Sequence, residues 1–406
     1  MDRPLRHLPL VVLFCAATIL ALNMGVRQTF GLFLEPMTAD LGIGRGSFAL
    51  AIAIQNLLWG VLTPPFGILA DRYGTGRCLV FGGVVYVAGI VIMALGDSLL
   101  GLYLGGGVLV GIGVAACGFP LVLSAVARAF PPERRSFALG IASSGGSVGQ
   151  FLLLPFTQMA IGGLGWVEAL LTLAALSALI VPLSAALAGR PAKQLDSHLS
   201  LTGAVVQAGR HRGFRLLTSG FFVCGFHVAF VATHLPAYIN SLHFDPLVGA
   251  TALSLIGFFN IIGGLTAGYL GGRYRKKYLL SFIYVARAVA ILGLLYGPRS
   301  ETTIFVFSGV FGLLWLSTVP LTSGVVGDIF GARYLATLFG IVMFGHQMGA
   351  FFGAWLGGVS YDLTGSYEPI WLLAVALGLL AAVLHWPIPD RAMTAEAPPA
   401  TVAERS

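Results

Sequence analysis

Apolar residues in this chain gather into long runs separated by short polar connections. Neither the strict alternation of a half-buried strand nor the narrow stripe of a soluble amphipathic helix recurs. Twelve such runs stand out, at 8–34, 47–70, 77–95, 99–127, 136–160, 166–189, 215–241, 247–271, 278–297, 302–326, 334–361 and 368–387. Each is near the roughly 20 residues that a helix, rising 1.5 Å per residue, needs to cross about 30 Å of hydrocarbon. The pattern therefore predicts an all-α membrane protein with twelve transmembrane helices and the lipid bilayer as its solvent.

Composition agrees: 57% of the 406 residues are hydrophobic and 10% charged, against about 25% charged in a soluble globular protein. The surplus of basic residues, 23 Lys and Arg against 16 Asp and Glu, would suggest nucleic acid if it shared one soluble face. It sits instead in short loops. Nineteen of the basic residues fall on the side of the termini, two on the other (Arg45, Arg299) and two within spans (Arg27, Arg287), which by the positive-inside rule predicts cytoplasmic termini and no nucleic-acid partner. Cys15, Cys78, Cys117 and Cys224 lie in or beside apolar runs, with no disulfide or metal-type spacing. The run starting near Leu8 lacks a small-residue cleavage site and outlasts a signal-peptide core, so it reads as a retained span.

Residues 190–214 are polar and carry Arg190, Lys193, Arg210 and Arg212. They divide the chain into two six-helix bundles, 1–189 and 215–389, followed by a tail at 390–406. The bundles are pseudo-symmetric. At an offset of 200, Pro36 answers Pro236, Pro120 answers Pro320, Phe130 answers Phe330, and Gly140-Ile141 answers Gly340-Ile341. Near the second and eighth spans the offset becomes 201, matching Gly67–Tyr73 to Gly268–Tyr274. Parallel six-helix repeats related by an axis along the membrane normal are the plan of one large transporter class, with its site near the midplane between halves.

The run Gly67-Ile68-Leu69-Ala70-Asp71-Arg72-Tyr73-Gly74, ending at Arg77, resembles the G-x-L-a-D-R-x-G-R-K signature after the second helix of the major facilitator superfamily, with Thr75 where a basic residue is usual. The resemblance spans nearly the whole chain in helix count and repeat. It implies that Gly67, Asp71, Arg72 and Arg77 belong to a gating element that latches the halves on the cytoplasmic side. The stretch from Ala129 through Arg135, Gly140 and Gly149 to Pro155 is similar to the fifth-helix entry of the monocarboxylate and oxalate/formate transporters. That branch normally carries an arginine in its eighth helix, where this chain has Gly264. Two patterns of proton-coupled drug exporters are missing: Gly107 stands at their fourth-helix arginine, and the fifth span lacks their Gly-Pro pair.

Charge at bilayer depth is costly and marks a site by default. All acids lie in loops, tails or span ends, so Arg27 has no embedded carboxylate to neutralise it. Its guanidinium fork suits a bidentate anion, and Asn23 and Gly31 share its face at i−4 and i+4. The repeat sets His227 opposite Arg27 across a central cavity, with His234 further along the same face. Either imidazole can titrate near neutrality, which makes both proton-coupling candidates. His346, Gln347 and Asn260 complete the substrate-binding candidates. Gln55, Asn56 and Gln150 are further lining groups; Phe30, Phe119, Tyr238 and Trp315 are wall or packing aromatics. Arg287, in a supporting span, is expected to pair with backbone carbonyls or a lipid phosphate.

The reading is a monomeric secondary transporter of the inner (plasma) membrane. It moves a small organic anion, a monocarboxylate by the branch resemblance, by alternating access with protons as a coupling partner. A proton-antiporting exporter of amphipathic compounds is the alternative. No phosphate-binding loop of the G-x-x-x-x-G-K-[ST] form occurs. Scattered histidines without an embedded acid form no catalytic or metal constellation, so neither enzyme activity nor a cofactor is expected.

Overall fold

The computed structural model describes residues 9–189, 201–330 and 335–389. Twelve helices long and apolar enough to cross a membrane follow in order: α1 (Pro9–Leu41), α2 (Arg45–Ala70), α3 (Thr75–Leu95), α4 (Leu99–Ala129), α5 (Phe137–Leu164), α6 (Trp166–Leu187), α7 (Arg212–Ser241), α8 (Pro246–Gly271), α9 (Lys276–Tyr296), α10 (Glu301–Phe330), α11 (Thr337–Thr364) and α12 (Glu368–His385). Of the expected linker, 190–200 lies outside the described residues and Leu201–Arg210 forms a short helix. The tail at 390–406 also lies outside them.

The first helix outruns its apolar stretch. After Gln28 the chain tightens into a 3-10 segment, Thr29–Phe33, and then continues to Leu41 with Glu35 and Pro36 inside it. Pro36 is tolerated because it falls in the first turn of the resumed α-helix, where an N–H lacks an intrahelical acceptor anyway. Gly42, at φ +63°, ends the helix in the left-handed region that favours glycine.

Two helices are broken at repeat-related points. α4 interrupts at Cys117 and Gly118, before Pro120; α10 interrupts at Trp315 to Ser317, before Pro320. A proline removes a backbone donor and clashes with the preceding turn, so the helix stops ahead of it. The break in α10 is tied down from two sides. Asn260 Oδ1 on α8 accepts the Leu316 N–H at 3.1 Å, and Arg287 Nη2 on α9 donates to the carbonyls of Leu314 and Trp315 at 2.6 and 2.5 Å. Arg287 is fully buried among Tyr284 and Phe311, so the pairing with carbonyls expected for it is what the fold shows.

The halves meet along α2 with α11 and α5 with α8. At mid-depth Gln150 Nε2 donates to the Leu253 carbonyl at 3.1 Å, Ser254 Oγ to the Phe151 carbonyl at 2.7 Å, and Asn260 Nδ2 to Ser147 Oγ at 3.0 Å. At the end away from the termini the joint is ionic. The Asp362 carboxylate accepts the N–H groups of Arg45 and Gly46 at 2.9 and 2.7 Å, capping α2 from the other half, where the helix dipole favours an anion. Arg45 also bridges Glu35 at 2.8 Å, donates to Tyr367 Oη at 2.8 Å, and lies 3.7 Å from the centre of the Tyr361 ring. Asn240 Nδ2 closes the loop onto Glu35 at 2.6 Å.

The terminus-side end is less crowded around its described glycines. Gly67, Gly140, Gly268 and Gly340 occupy repeat-related positions near the terminus-side ends of α2, α5, α8 and α11, and a Cβ on any of them would meet nothing within 4 Å. On the same helices toward the far end, a Cβ at Gly358 would lie 2.5 Å from the Arg45 carbonyl oxygen, and one at Gly60 2.7 Å from Gln347 Cβ. Among the described residues, the polar contacts between the halves thus lie at mid-depth and at the end away from the termini.

Candidate functional site

A small cleft lies between α1, α2 and α7, lined by Arg27, Gln28, Phe30, Gly31, Ile52, Gln55, Asn56, Ala229, Ala232 and Thr233. Gly31 allows it to form, since α1 and α7 touch there and a Cβ would lie 2.2 Å from the Ala232 carbonyl oxygen. No lining residue is acidic. Arg27 supplies the charge, three amides and a threonine hydroxyl supply polarity, and the remainder is apolar.

The guanidinium is held from two sides. Asn56 Nδ2 donates to the Ile52 carbonyl at 2.8 Å, which turns its Oδ1 toward Arg27 Nη2, and the two hydrogen-bond. Trp59, about one helical turn beyond Asn56 on α2, places its ring 4.7 Å from Arg27 Cζ, a cation–π contact that costs the fork none of its donors. Arg27 Nε remains buried without a partner. A buried donor left unpaired costs about 1–3 kcal/mol. Gln28 Nε2 donates to Gln150 Oε1 at 3.3 Å, linking the cleft to the α5–α8 joint through Gln150.

Of the substrate-binding candidates only Arg27 lines this cleft. Asn23 does not: its Nδ2 reaches the Val114 carbonyl on α4 at 3.4 Å. Four residues of α-helix overshoot a full turn by about 40°, enough to carry Asn23 from the cleft into the bundle. His227 is corrected more strongly. It is fully buried, its Nε2 lies 2.8 Å from the Ala374 carbonyl on α12, and Gly378 leaves room for the ring, with a would-be Cβ at 3.3 Å from Cε1. Ala229, which does line the cleft, is about 200° around α7 from His227 at 100° per residue.

His234 belongs to the joint at the end away from the termini, with Nε2 2.7 Å from the Ala354 carbonyl and Nδ1 3.4 Å from Tyr367 Oη. His346 packs on Phe221 at 4.8 Å, with Nδ1 3.4 Å from Gln347 Oε1. Gln347 lies against Gly60 in the α2–α11 joint, and Asn260 bridges α5, α8 and α10 as described. Gln28, Trp59 and Thr233 were not singled out from sequence. Gln28 carried a signal, a second polar side chain next to Arg27 inside an apolar run.

A family model described as Major Facilitator Superfamily matches residues 13–316 and 220–404. The chain belongs to this superfamily. Its curated relatives include monocarboxylate transporter 13 of Bos taurus, 28% identical over 386 residues covering 90% of this chain and 87% of that one. An uncharacterized MFS-type transporter, YcxA, of Bacillus subtilis is 24% identical, covering 92% and 93%. Among solved structures, an inward-facing, occupied bacterial homologue of the human lysosomal transporter Spinster superposes with a TM-score of 0.74 at 17% identity, covering 95% and 98%. The nucleoside transporter NupG superposes at 0.79 and 14%, covering 92% and 98%. These solved structures share the fold.

Within this major facilitator fold the Gly67–Arg77 segment sits at the terminus-side end. Arg72 and Arg77 are exposed, and Arg72 lies 5.3 Å from the ring of its neighbour Tyr73. The Asp71 side chain lies outside the described residues. In this state the polar contacts described between the halves are those of mid-depth and the end away from the termini.

Proposed function

We propose that this transporter carries a small organic anion, a monocarboxylate, through the Arg27 cleft by alternating access. The observation that carries the reading is Arg27 itself: an embedded guanidinium whose cleft holds no acid, fixed by Asn56 and Trp59, with Nε buried and unpaired. A carboxylate supplies both the missing charge and the missing acceptor. The similarity to monocarboxylate transporters supports the same substrate class. A cleft with one arginine, three amides and a hydroxyl favours a polar anion over an amphipathic export substrate.

The excess of basic residues on the side of the termini supports cytoplasmic termini in a plasma membrane. The end joined through Asp362 and Arg45 then faces outward. Proton coupling through His227 finds no support in its position against Ala374, so the anion reading stands without it. The test is a thermal-shift series of the purified protein with short carboxylates, since a ligand that binds only the folded state raises its apparent stability. Stabilisation that disappears in Arg27→Ala is expected; equal stabilisation of both proteins refutes the clamp.

A further inference from the structure

Far from the Arg27 cleft, the terminus-side ends of α9 and α12 carry a cluster of cations and aromatic rings that transport does not use. Its hub is the Tyr278 ring, in the first turn of α9. The Trp386 ring, just past the end of α12, lies 4.7 Å from it between centres, with Lys277 Nζ at 5.2 Å and Arg275 Cζ at 5.4 Å. Arg275, Tyr278 and Trp386 are exposed. Lys277 is buried, and its Nζ donates to the Ile388 carbonyl at 2.8 Å. That bond ties the start of α9 to the segment beyond α12, so the cluster is anchored from its inner side.

The cluster continues into the hydrocarbon layer. Beyond Tyr278 one face of α9 presents Phe282, Val285 and Val289 at i+4, i+7 and i+11, and α12 presents Leu379 and Val383 ahead of Trp386, all of them exposed. Exposed apolar side chains on a membrane-spanning helix meet lipid tails, while tyrosine and tryptophan gather at headgroup level. The rings and cations therefore stand where a headgroup joins its acyl chains.

Charge selects the headgroup. A quaternary ammonium attracted to the rings would be repelled by Arg275 and Lys277, which already lie beside Tyr278. A phosphodiester oxygen is attracted by both, and the five donors of the Arg275 guanidinium can take it in addition to other contacts. Asp328 on the adjoining α10 is engaged by Lys276 at 2.7 Å. At the repeat offset of 200, Cys78 and Ala186 answer Tyr278 and Trp386, so the first half has no aromatic pair at the corresponding place. We propose that the α9–α12 furrow is a binding site for an anionic phosphodiester lipid of the terminus-side leaflet. Its phosphate sits on Arg275 beside Tyr278 and Trp386, and its acyl chains follow Phe282 and Val383. The site is independent of the anion reading of Arg27.

The experiment titrates the intact, delipidated protein in detergent with phosphatidylglycerol and with phosphatidylcholine of matched acyl chains, and counts bound lipids by native mass spectrometry. The first phosphatidylglycerol is expected to bind about tenfold more tightly than phosphatidylcholine, the value of one charge-assisted hydrogen bond. In Arg275→Gln that preference should disappear, and Trp386→Leu should weaken phosphatidylglycerol binding while leaving phosphatidylcholine unchanged. The comparison of the two lipids on the unmodified protein needs no variant to fold. Equal affinity for the two lipids overturns the proposal. A preference that survives in Arg275→Gln also overturns it, by placing the lipid elsewhere on the basic face. Displacement of phosphatidylglycerol by millimolar inorganic phosphate shows a site for free phosphate and overturns the assignment to a lipid.

Discussion

Arg27 and Arg287 pose the same problem in the two halves and receive opposite solutions. Each stands within a membrane-length helix, in a chain whose acids lie near span ends, in loops or in tails. Arg287 is answered by the backbone: the break in α10 releases the Leu314 and Trp315 carbonyls, and one guanidinium nitrogen takes both. The corresponding break in α4, at Cys117 and Gly118, has Val87 where α9 has Arg287. Arg27 instead meets side chains, Asn56 and Trp59, at the edge of a cleft. An arginine bound to carbonyls of its own bundle holds a helix in shape, whereas one steadied by side chains at a cleft edge is where the proposed carboxylate would be held.

The largest effect expected from this contrast is on Arg27. Arg27→Ala should weaken carboxylate binding by about 100-fold, the loss of a two-bond charged contact worth roughly 3 kcal/mol. Arg27→Lys should fall well short of restoring it, because an ammonium keeps the charge without the fork. Equilibrium titration of the purified variants measures both, and full affinity in the lysine variant would break the comparison from the Arg27 side.

Arg287→Met should do the reverse. Removing the donor to two buried carbonyls is expected to lower stability by about 2–3 kcal/mol, read as a lower midpoint of thermal unfolding in detergent. Carboxylate affinity per folded molecule should stay within about twofold. A stable variant that has lost binding would place Arg287 in the site.

The ionic joint at the end away from the termini gives a smaller effect. Asp362→Ala leaves the Arg45 and Gly46 N–H groups uncapped, and loss of a cap costs about 1 kcal/mol. The equilibrium should shift about fivefold toward opening at that end. Spin labels at the exposed positions Leu99 and Leu247, which belong to different halves at that end, should report longer distances in the variant. An unchanged distance distribution would show that the Arg45 and Glu35 contacts suffice.

The smallest effect is expected for His227→Gln. Its ring nitrogen is spent on Ala374 in the bundle interior, and glutamine can donate to the same carbonyl. The pH dependence of uptake into proteoliposomes should match that of the unmodified protein; loss of proton-driven uptake with counterflow intact would return the imidazole to the coupling mechanism.

Span number and order, and the presence of Arg27 within a span, were legible in the sequence, because hydropathy and the cost of a buried charge are properties of a local stretch of chain. The helical face of a side chain was legible less well. His227 is the repeat mate of Arg27, yet the room at Gly378 and the carbonyl of Ala374, some 150 residues away, draw it to the opposite side of α7. Asn23 likewise turned on a rotation of about 40°. The ionic joint left no signal at all, since Arg45 and Asp362 are 317 positions apart and each reads as an ordinary residue at a span end.

The sequence by itself determined that this chain is a membrane-embedded twelve-helix repeat protein with two unneutralised arginines, since each of those facts follows from segment length, segment polarity and spacing. Only the tertiary structure decided which arginine meets a cleft, which histidines are spent on carbonyls, and at which end ionic contacts join the halves. Those outcomes depend on where one helix's side chains meet another helix's backbone, and that geometry is set by packing between segments distant in sequence.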